Sequence, residues 1–263
     1  MARETTVAVP GTEIFCRIDG AGADAPWIVF SNSLVTDLTI WDAQVEALQD
    51  RFRILRYDQR GHGRTPPGAS APDLPRLGAD LHAVLDHVGI DRCSFVGLSM
   101  GVPTGLAAYG ARPARFERLV LSDGQAKTAP TGAATWAGRI AYARENGMDG
   151  YAADTAQRWL QPEAAAGPKG ERLRAMVAAT PLEGFVHGAT ALQSYDHVAD
   201  VARITCPLLV IAGAEDGAMP KSMRASFGDV PGVAVEIIEG AGHVPNFEQP
   251  EAFNAALRHF LDR

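Results

Sequence analysis

The run Gly97-Leu98-Ser99-Met100-Gly101 places a serine between glycines in the pattern G-x-S-x-G. It follows the apolar stretch Cys93–Val96 and leads into a helix-like run, Val102–Tyr109, and that strand–turn–helix setting gives the pattern chemical meaning. A serine at so sharp a turn takes a strained backbone conformation, with glycines on both sides to let backbone and helix come close. Its hydroxyl then projects toward a helix N-terminus, where developing negative charge is favoured. An alcohol is a weak nucleophile alone. It needs a base within hydrogen-bond reach, and the base needs a carboxylate to orient it.

Seven histidines compete for the base. His82, His87 and His259 fall in expected helices, on solvated or half-buried faces. His187 and His197 lie in or near a helical segment rich in Ala and Gly, and His62 braces the turn Asp58-Gln59-Arg60-Gly61-His62-Gly63. His243 differs. It stands in Gly240-Ala241-Gly242-His243, just past the apolar run Val233–Ile238, where small neighbours leave room for an imidazole beside the serine. The expected acid is Asp216, in Gly213-Ala214-Glu215-Asp216 after the run Pro207–Ala212, where Gly213 permits a sharp turn. Glu215 points elsewhere if Asp216 faces the site. Asp123, after Leu119–Ser122, is the alternative orienter; its other reading is a hydrogen-bonded residue opening the next segment. Acyl transfer also needs two N–H donors for the tetrahedral oxygen, expected from Met100, after the serine, and from Leu34, in the loop Ser33-Leu34-Val35-Thr36.

These loops need strands to carry them. Residues 5–19 read as a β-hairpin about Pro10-Gly11, and Trp27–Asn32, Arg53–Tyr57, Cys93–Val96, Leu119–Ser122, Pro207–Ala212 and Val233–Ile238 read as core strands. Runs apolar on both alternations suit strands buried on both faces, as in a parallel sheet. Between them, a helix capped by Asp73 carries Leu74, Leu77, Leu81, Val84, Leu85 and Val88 on one face, and another follows Pro250 with Phe253, Leu257, Phe260 and Leu261. Strand and helix in alternation mean an α/β fold with a mostly parallel central sheet. Residues 127–199 break the rhythm and predict a helical lid inserted over one edge of the sheet, between core segments 1–126 and 200–263.

The composition narrows the function classes. The chain has 263 residues, 24 basic and 31 acidic side chains and a net charge of −7, which offers no electrostatic footprint for nucleic acid or anionic lipid. Three cysteines, Cys16, Cys93 and Cys206, have no metal-type spacing and read as buried thiols. The N-terminal residues lack the apolar core of a signal peptide, and the most apolar run, Pro207 to Ala214, is too short to cross a bilayer. The expectation is a cytoplasmic protein acting on a small molecule.

Asn32–Asp37, Arg56–Gly63, the serine pentapeptide, Gly213–Asp216 and His243 together resemble the α/β-hydrolase superfamily, along nearly the whole chain. The order serine, aspartate, histidine is that family's order. Within it, Ser31-Asn32-Ser33-Leu34, then Thr36-Asp37 and Trp41, resembles the 3-oxoadipate enol-lactonases, as do Trp136, Arg139, Arg144, Gly147-Met148 and Arg158-Trp159. Two positions depart from that pattern: those lactonases usually carry glycine where Val35 and Val102 stand. The resemblance implies ester or lactone hydrolysis through an acyl-enzyme, with no metal and no organic cofactor. An enol-lactone bearing a free carboxylate calls for a cation in its pocket. Arg139 lies one helical turn from Trp136, on the same face, and Trp136, Arg139 and Trp159 are the candidate substrate-binding residues. A general carboxylesterase with perhydrolase side activity would share the catalytic residues. So would a ligand receptor built on the same fold, whereas the Asn32-Ser33 loop does not resemble the glycine-rich loop of C–C bond hydrolases.

Overall fold

The computed structural model describes residues 2–262. The Pro10-Gly11 turn joins β1 (Arg3–Val9) to β2 (Thr12–Gly20) as an antiparallel hairpin with Val7 opposite Ile14. β3 (Trp27–Ser31), β4 (Arg53–Tyr57), β5 (Cys93–Leu98), β6 (Phe116–Ser122), β7 (Leu208–Gly213) and β8 (Ala234–Ile238) complete one sheet in the order β1-β2-β4-β3-β5-β6-β7-β8. β2 pairs antiparallel with β4, and every later pairing is parallel, with Val29 beside both Leu55 and Phe95, and Val120 beside both Val96 and Leu209. Strand order reverses between β3 and β5, whose connections leave toward opposite edges of the sheet, and a crevice forms beyond their carboxyl ends.

Successive side chains along a strand point to opposite faces, and here both sets are apolar. One face carries Ile28, Phe30, Ile54, Val96, Val120 and Ile211. It lies under Trp41, which precedes α1 (Asp42–Leu48), and under Phe253 and Leu257 of the C-terminal helix. The other carries Val29, Leu55, Phe95, Leu119 and Val210, packed against Leu81 and Leu85 of α2 (Leu74–Val88), Leu106 of α3 (Gly101–Ala111) and residues further along the chain. Each fully buried Leu, Ile or Phe contributes about 1.5–3 kcal/mol relative to exposure. That is why the strands tolerate so few polar residues.

Between β6 and β7 the chain leaves the sheet as α4 (Gly132–Trp159), α5 (Pro162–Ala166), α6 (Pro168–Ala179) and α7 (Leu182–Leu192). α4 is broken at Gly147, which takes φ 71° and ψ 176°. The two ends of this insert are fastened to each other: Thr128 N–H donates to the Tyr195 carbonyl at 3.0 Å and His197 N–H to the Ala126 carbonyl at 2.8 Å. The insert sits over the carboxyl ends of the strands, with Gly184 against Gly61 after β4 and Gly188 facing Leu34 after β3. The chain returns through α8 (Val198–Val201) and ends with α9 (Met219–Phe227), α10 (Pro245–Glu248) and α11 (Pro250–Leu261). No helix among the described residues is long and apolar enough to cross a membrane.

Some expectations shift by a few residues. β5 runs on to Leu98 because Gly97 and Leu98 still pair with Leu121 and Ser122. β6 begins at Phe116, and β7 one residue after Pro207. Cys206 is only half-buried, ahead of β7, whereas Cys16 and Cys93 are buried and burial pushes each thiol up to about 12. His82 does not sit on a solvated face of α2; it is buried, with Nε2 2.9 Å from the Ala108 carbonyl. The Asp73 cap stands as expected, its carboxylate accepting from Arg76 N–H at 2.8 Å. Replacing it, Asp73→Ala, is expected to lower stability by about 1 kcal/mol in urea denaturation while leaving the chemistry of the crevice unchanged.

Candidate active site

Ser99 is the first residue beyond β5, and its backbone takes φ 52°, in the left-handed region that side chains avoid. The turn is held by Ser99 N–H donating to the Ser122 carbonyl at 2.8 Å and by Val102 N–H donating to the Ser99 carbonyl at 2.9 Å. Gly101 is required beside it, because a Cβ there would run into the Ser31 carbonyl at the end of β3. Among the described residues, Val35 (φ 56°) and Asp123 (φ 47°) complete the non-glycine residues in this region, and all three lie at or beside the same crevice. Each such conformation costs about 1–3 kcal/mol and persists where the surroundings over-determine it.

Two further loops reach the serine. His243 Nε2 lies 2.8 Å from Ser99 Oγ, and His243 Nδ1 lies 2.7 Å from Asp216 Oδ2. With Asp216 ionised, Nδ1–H donates to the carboxylate, which leaves Nε2 free to accept from the serine hydroxyl. The loops after β7 and β8 are fastened to each other. Glu215 turns away from the serine, as anticipated, and accepts from Gly240 N–H at 3.3 Å and Ala241 N–H at 2.9 Å. Gly213 has no room for a side chain, since a Cβ would meet the Gly242 carbonyl. Glu248 accepts from Gly242 N–H at 2.7 Å and from Gln161 N–H at 2.6 Å, and His243 N–H donates to the Trp159 carbonyl at 2.9 Å. The Trp159 indole packs on the imidazole with ring centroids 4.8 Å apart.

Asp123 is next to this chain without being its middle link. It is fully buried; one oxygen accepts from Gly213 N–H at 2.9 Å and the other from Ser122 Oγ at 2.7 Å. Burial, and then the negative charge of Asp216, hold its carboxyl well above the usual carboxylate range. Asp123, Asp216 and His243 each offer an atom within 4.8 Å of the others, a spacing that would also suit a metal. In this arrangement Nδ1 and Oδ2 are engaged with each other, and both Asp123 oxygens already accept hydrogen bonds.

Leu34 and Met100 border the crevice with Ser99. Leu34 occupies a β-turn closed by Thr36 N–H donating to the Ser33 carbonyl at 3.4 Å, and Val35 fills its third position, where positive φ favours glycine. Among the described residues, neither the Leu34 nor the Met100 N–H donates to a backbone carbonyl in the surrounding loops. The crevice encloses about 560 Å³, and Trp136, Arg139 and Trp159 line it together with the serine, histidine and aspartate. Arg139 stacks over the Trp136 ring at 4.6 Å and has no carboxylate partner among the described residues. Burial, and secondarily Arg158, lower its pKa. Arg158 lines the same crevice but is paired with Asp154 at 2.7 Å. Tyr195 and Gln125 also face the crevice and escaped the sequence reading, as did Glu248 and its clasp on Gly242. His62 is buried, as a brace would be, with Nδ1 2.8 Å from the Arg60 carbonyl, and burial lowers its pKa to about 4.

Comparison with known proteins agrees with this architecture. Residues 20–256 match the alpha/beta hydrolase family. The chain is 34% identical over 244 residues to 3-oxoadipate enol-lactonase 2 of Acinetobacter baylyi, covering 92% of this chain and 90% of that one. It is 30% identical over 250 residues to the candidate carbamate hydrolase RutD of a Caulobacter species, covering 92% of each. The crystal structure of the enol-lactonase from Burkholderia xenovorans superposes with a TM-score of 0.92 at 34% identity, covering 98% of this chain and all of that one.

The environment of Asp123 sets a pH dependence. Below the ordinary carboxylate value of 3.8 both folded and unfolded chains hold its proton; above it the unfolded chain releases the proton first, so stability falls as pH rises toward the folded value. Asp123→Asn has no such proton, and its stability is expected to fall less than that of the wild type as pH rises above 3.8 in urea denaturation. Hydrolytic kcat/KM should change by less than about threefold. Loss of activity by orders of magnitude would instead move the orienting role from Asp216 to Asp123.

Proposed function

The chain belongs to the alpha/beta hydrolase family, and we propose that it is a serine hydrolase opening a carboxylate-bearing lactone, specifically 3-oxoadipate enol-lactone, through an acyl-enzyme on Ser99. The observation that carries the reading is the continuous chain from Ser99 Oγ through the His243 imidazole to Asp216, with links of 2.8 and 2.7 Å. His243 takes the serine proton as Ser99 Oγ attacks the lactone carbonyl, and Asp216 holds the ring and stabilises the imidazolium. The Leu34 and Met100 N–H groups receive the oxyanion. Ring opening expels an enolate, which ketonises by taking up the proton held on His243 and so returns the imidazole to its neutral form. Water, deprotonated by His243, then releases the acid and restores the serine.

The substrate assignment draws on the two enol-lactonases to which the chain is 34% identical, and on Arg139. A guanidinium without a carboxylate partner, 4.6 Å over the Trp136 ring in the crevice, suits bidentate capture of a substrate carboxylate. Trp159 covers one side of the imidazole and walls the apolar part of the substrate. A second reading, cleavage of a carbamate, rests on the similarity to RutD and would use the same three side chains.

Steady-state kinetics with the enol-lactone and with neutral p-nitrophenyl acetate test the assignment. Ser99→Ala and His243→Ala are expected to lower kcat/KM for both by at least roughly 10³-fold, and Asp216→Asn by roughly 10⁴-fold through loss of the productive tautomer. Arg139→Gln should raise KM for the enol-lactone roughly 10- to 100-fold, as for a lost hydrogen bond to a charged group, and leave the neutral ester unaffected. Turnover of the neutral ester alone would refute the lactonase assignment.

A further inference from the structure

Leu34 and Met100 stand on different elements, the loop after β3 and the N-terminus of α3. Two N–H groups aimed at one oxygen must keep a set separation, because a hydrogen bond weakens steeply beyond about 3.2 Å. The loop carrying Leu34 also holds Val35 in the left-handed region and so favours relaxation away from this conformation. Something outside the loop must oppose that.

One buried side chain is bonded to both elements. Gln59, in the turn after β4, is 2% exposed. Its Nε2 donates to the Asn32 carbonyl at 2.7 Å, two residues before Leu34. Its Oε1 accepts from Thr104 Oγ1 at 3.0 Å, and that hydroxyl, in the first turn of α3, is shared with the Met100 carbonyl, also at 3.0 Å. Asn32 in turn closes the far side of the loop, its Nδ2 donating to the Thr36 carbonyl. We propose that Gln59 is a positioning residue: its carboxamide ties the Asn32–Thr36 loop to the first turn of α3 and so sets the separation of the Leu34 and Met100 amides. The role rests on the assignment of Ser99 and the oxyanion donors made above. A carboxamide suits it because one rigid plane offers a donor to one element and an acceptor to the other. Gln59 does not border the crevice, so its loss acts through the donors and not through substrate contact.

Wild type, Gln59→Met, Thr104→Val and the double variant test this. Each is treated with a fluorophosphonate, with the site of labelling read by mass spectrometry, and then assayed with p-nitrophenyl acetate. Wild type should be labelled at Ser99. Gln59→Met should lower kcat roughly 10- to 100-fold with KM changed less than about twofold, because the oxyanion forms only on the way to the tetrahedral intermediate. Affinity for a boronic acid that mimics the tetrahedral adduct should fall by a similar factor. Thr104→Val should cost roughly 3- to 10-fold in kcat, and the double variant no more than Gln59→Met, because both singles break one network. An unlabelled wild type overturns the assignment of Ser99 and this role with it. Labelled wild type with kcat unchanged in the single variants, or with losses that multiply in the double one, overturns the role of Gln59 alone. If Gln59→Met does not fold, Thr104→Val decides by the same split between kcat and KM.

Discussion

A single imidazole has to satisfy two partners that the chain delivers from two different strands, β5 and β7. His243 meets Ser99, 144 residues earlier, at 2.8 Å, and Asp216 at 2.7 Å. Hydrogen bonds tolerate only a few tenths of an ångström and a narrow angle, so three loops at the carboxyl ends of β5, β7 and β8 must be mutually rigid. Much of the local structure follows from that demand. Glu215 and Glu248 clasp the backbone of Gly240, Ala241 and Gly242 just before the histidine, Gly213 lets the two loops touch, and Trp159 supports both the backbone and the ring of His243.

Rigidity of this kind is compatible with strain because the sheet beneath is so thoroughly buried. Among the described residues, the three non-glycine residues at positive φ cluster where chain leaves β3, β5 and β6, and the burial on both faces of those strands outweighs the few kcal/mol that they cost. Charge is handled in the same way. Burial, and then the negative charge of Asp216, raise the pKa of the Asp123 carboxyl, so a second charge beside Asp216 is disfavoured. Across the crevice, Arg139 lies 4.6 Å over the Trp136 ring and lines the same space as the serine, with no carboxylate in an ion pair with it among the described residues.

What could be read from the amino-acid order was whatever repeats or turns locally. β4 has the bounds that its apolar run predicts, Asp73 caps its helix, and the glycine-flanked serine follows a strand and opens a helix. The loops bearing Asp216 and His243 were legible because each follows an apolar run and is rich in small residues. Less visible were polar side chains whose partners are distant backbone groups. Glu248 with Gln161, Gln59 with Asn32 and His82 with Ala108 form no periodic pattern, so nothing local marks them. The last two residues of β5 were hidden by Gly97, which looks like a turn residue and pairs as a strand. The raised pKa of Asp123 depends on burial by elements far along the chain.

Rapid-quench mass spectrometry of the protein mixed with p-nitrophenyl acetate measures the reactivity of Ser99 most directly. A covalent acetyl group on Ser99 that forms in a burst, and that fails to form when His243 is replaced, is the expected result. Turnover without an acetyl group on Ser99, or with the acetyl group on another side chain, would contradict the role given to the serine and to the imidazole that contacts it.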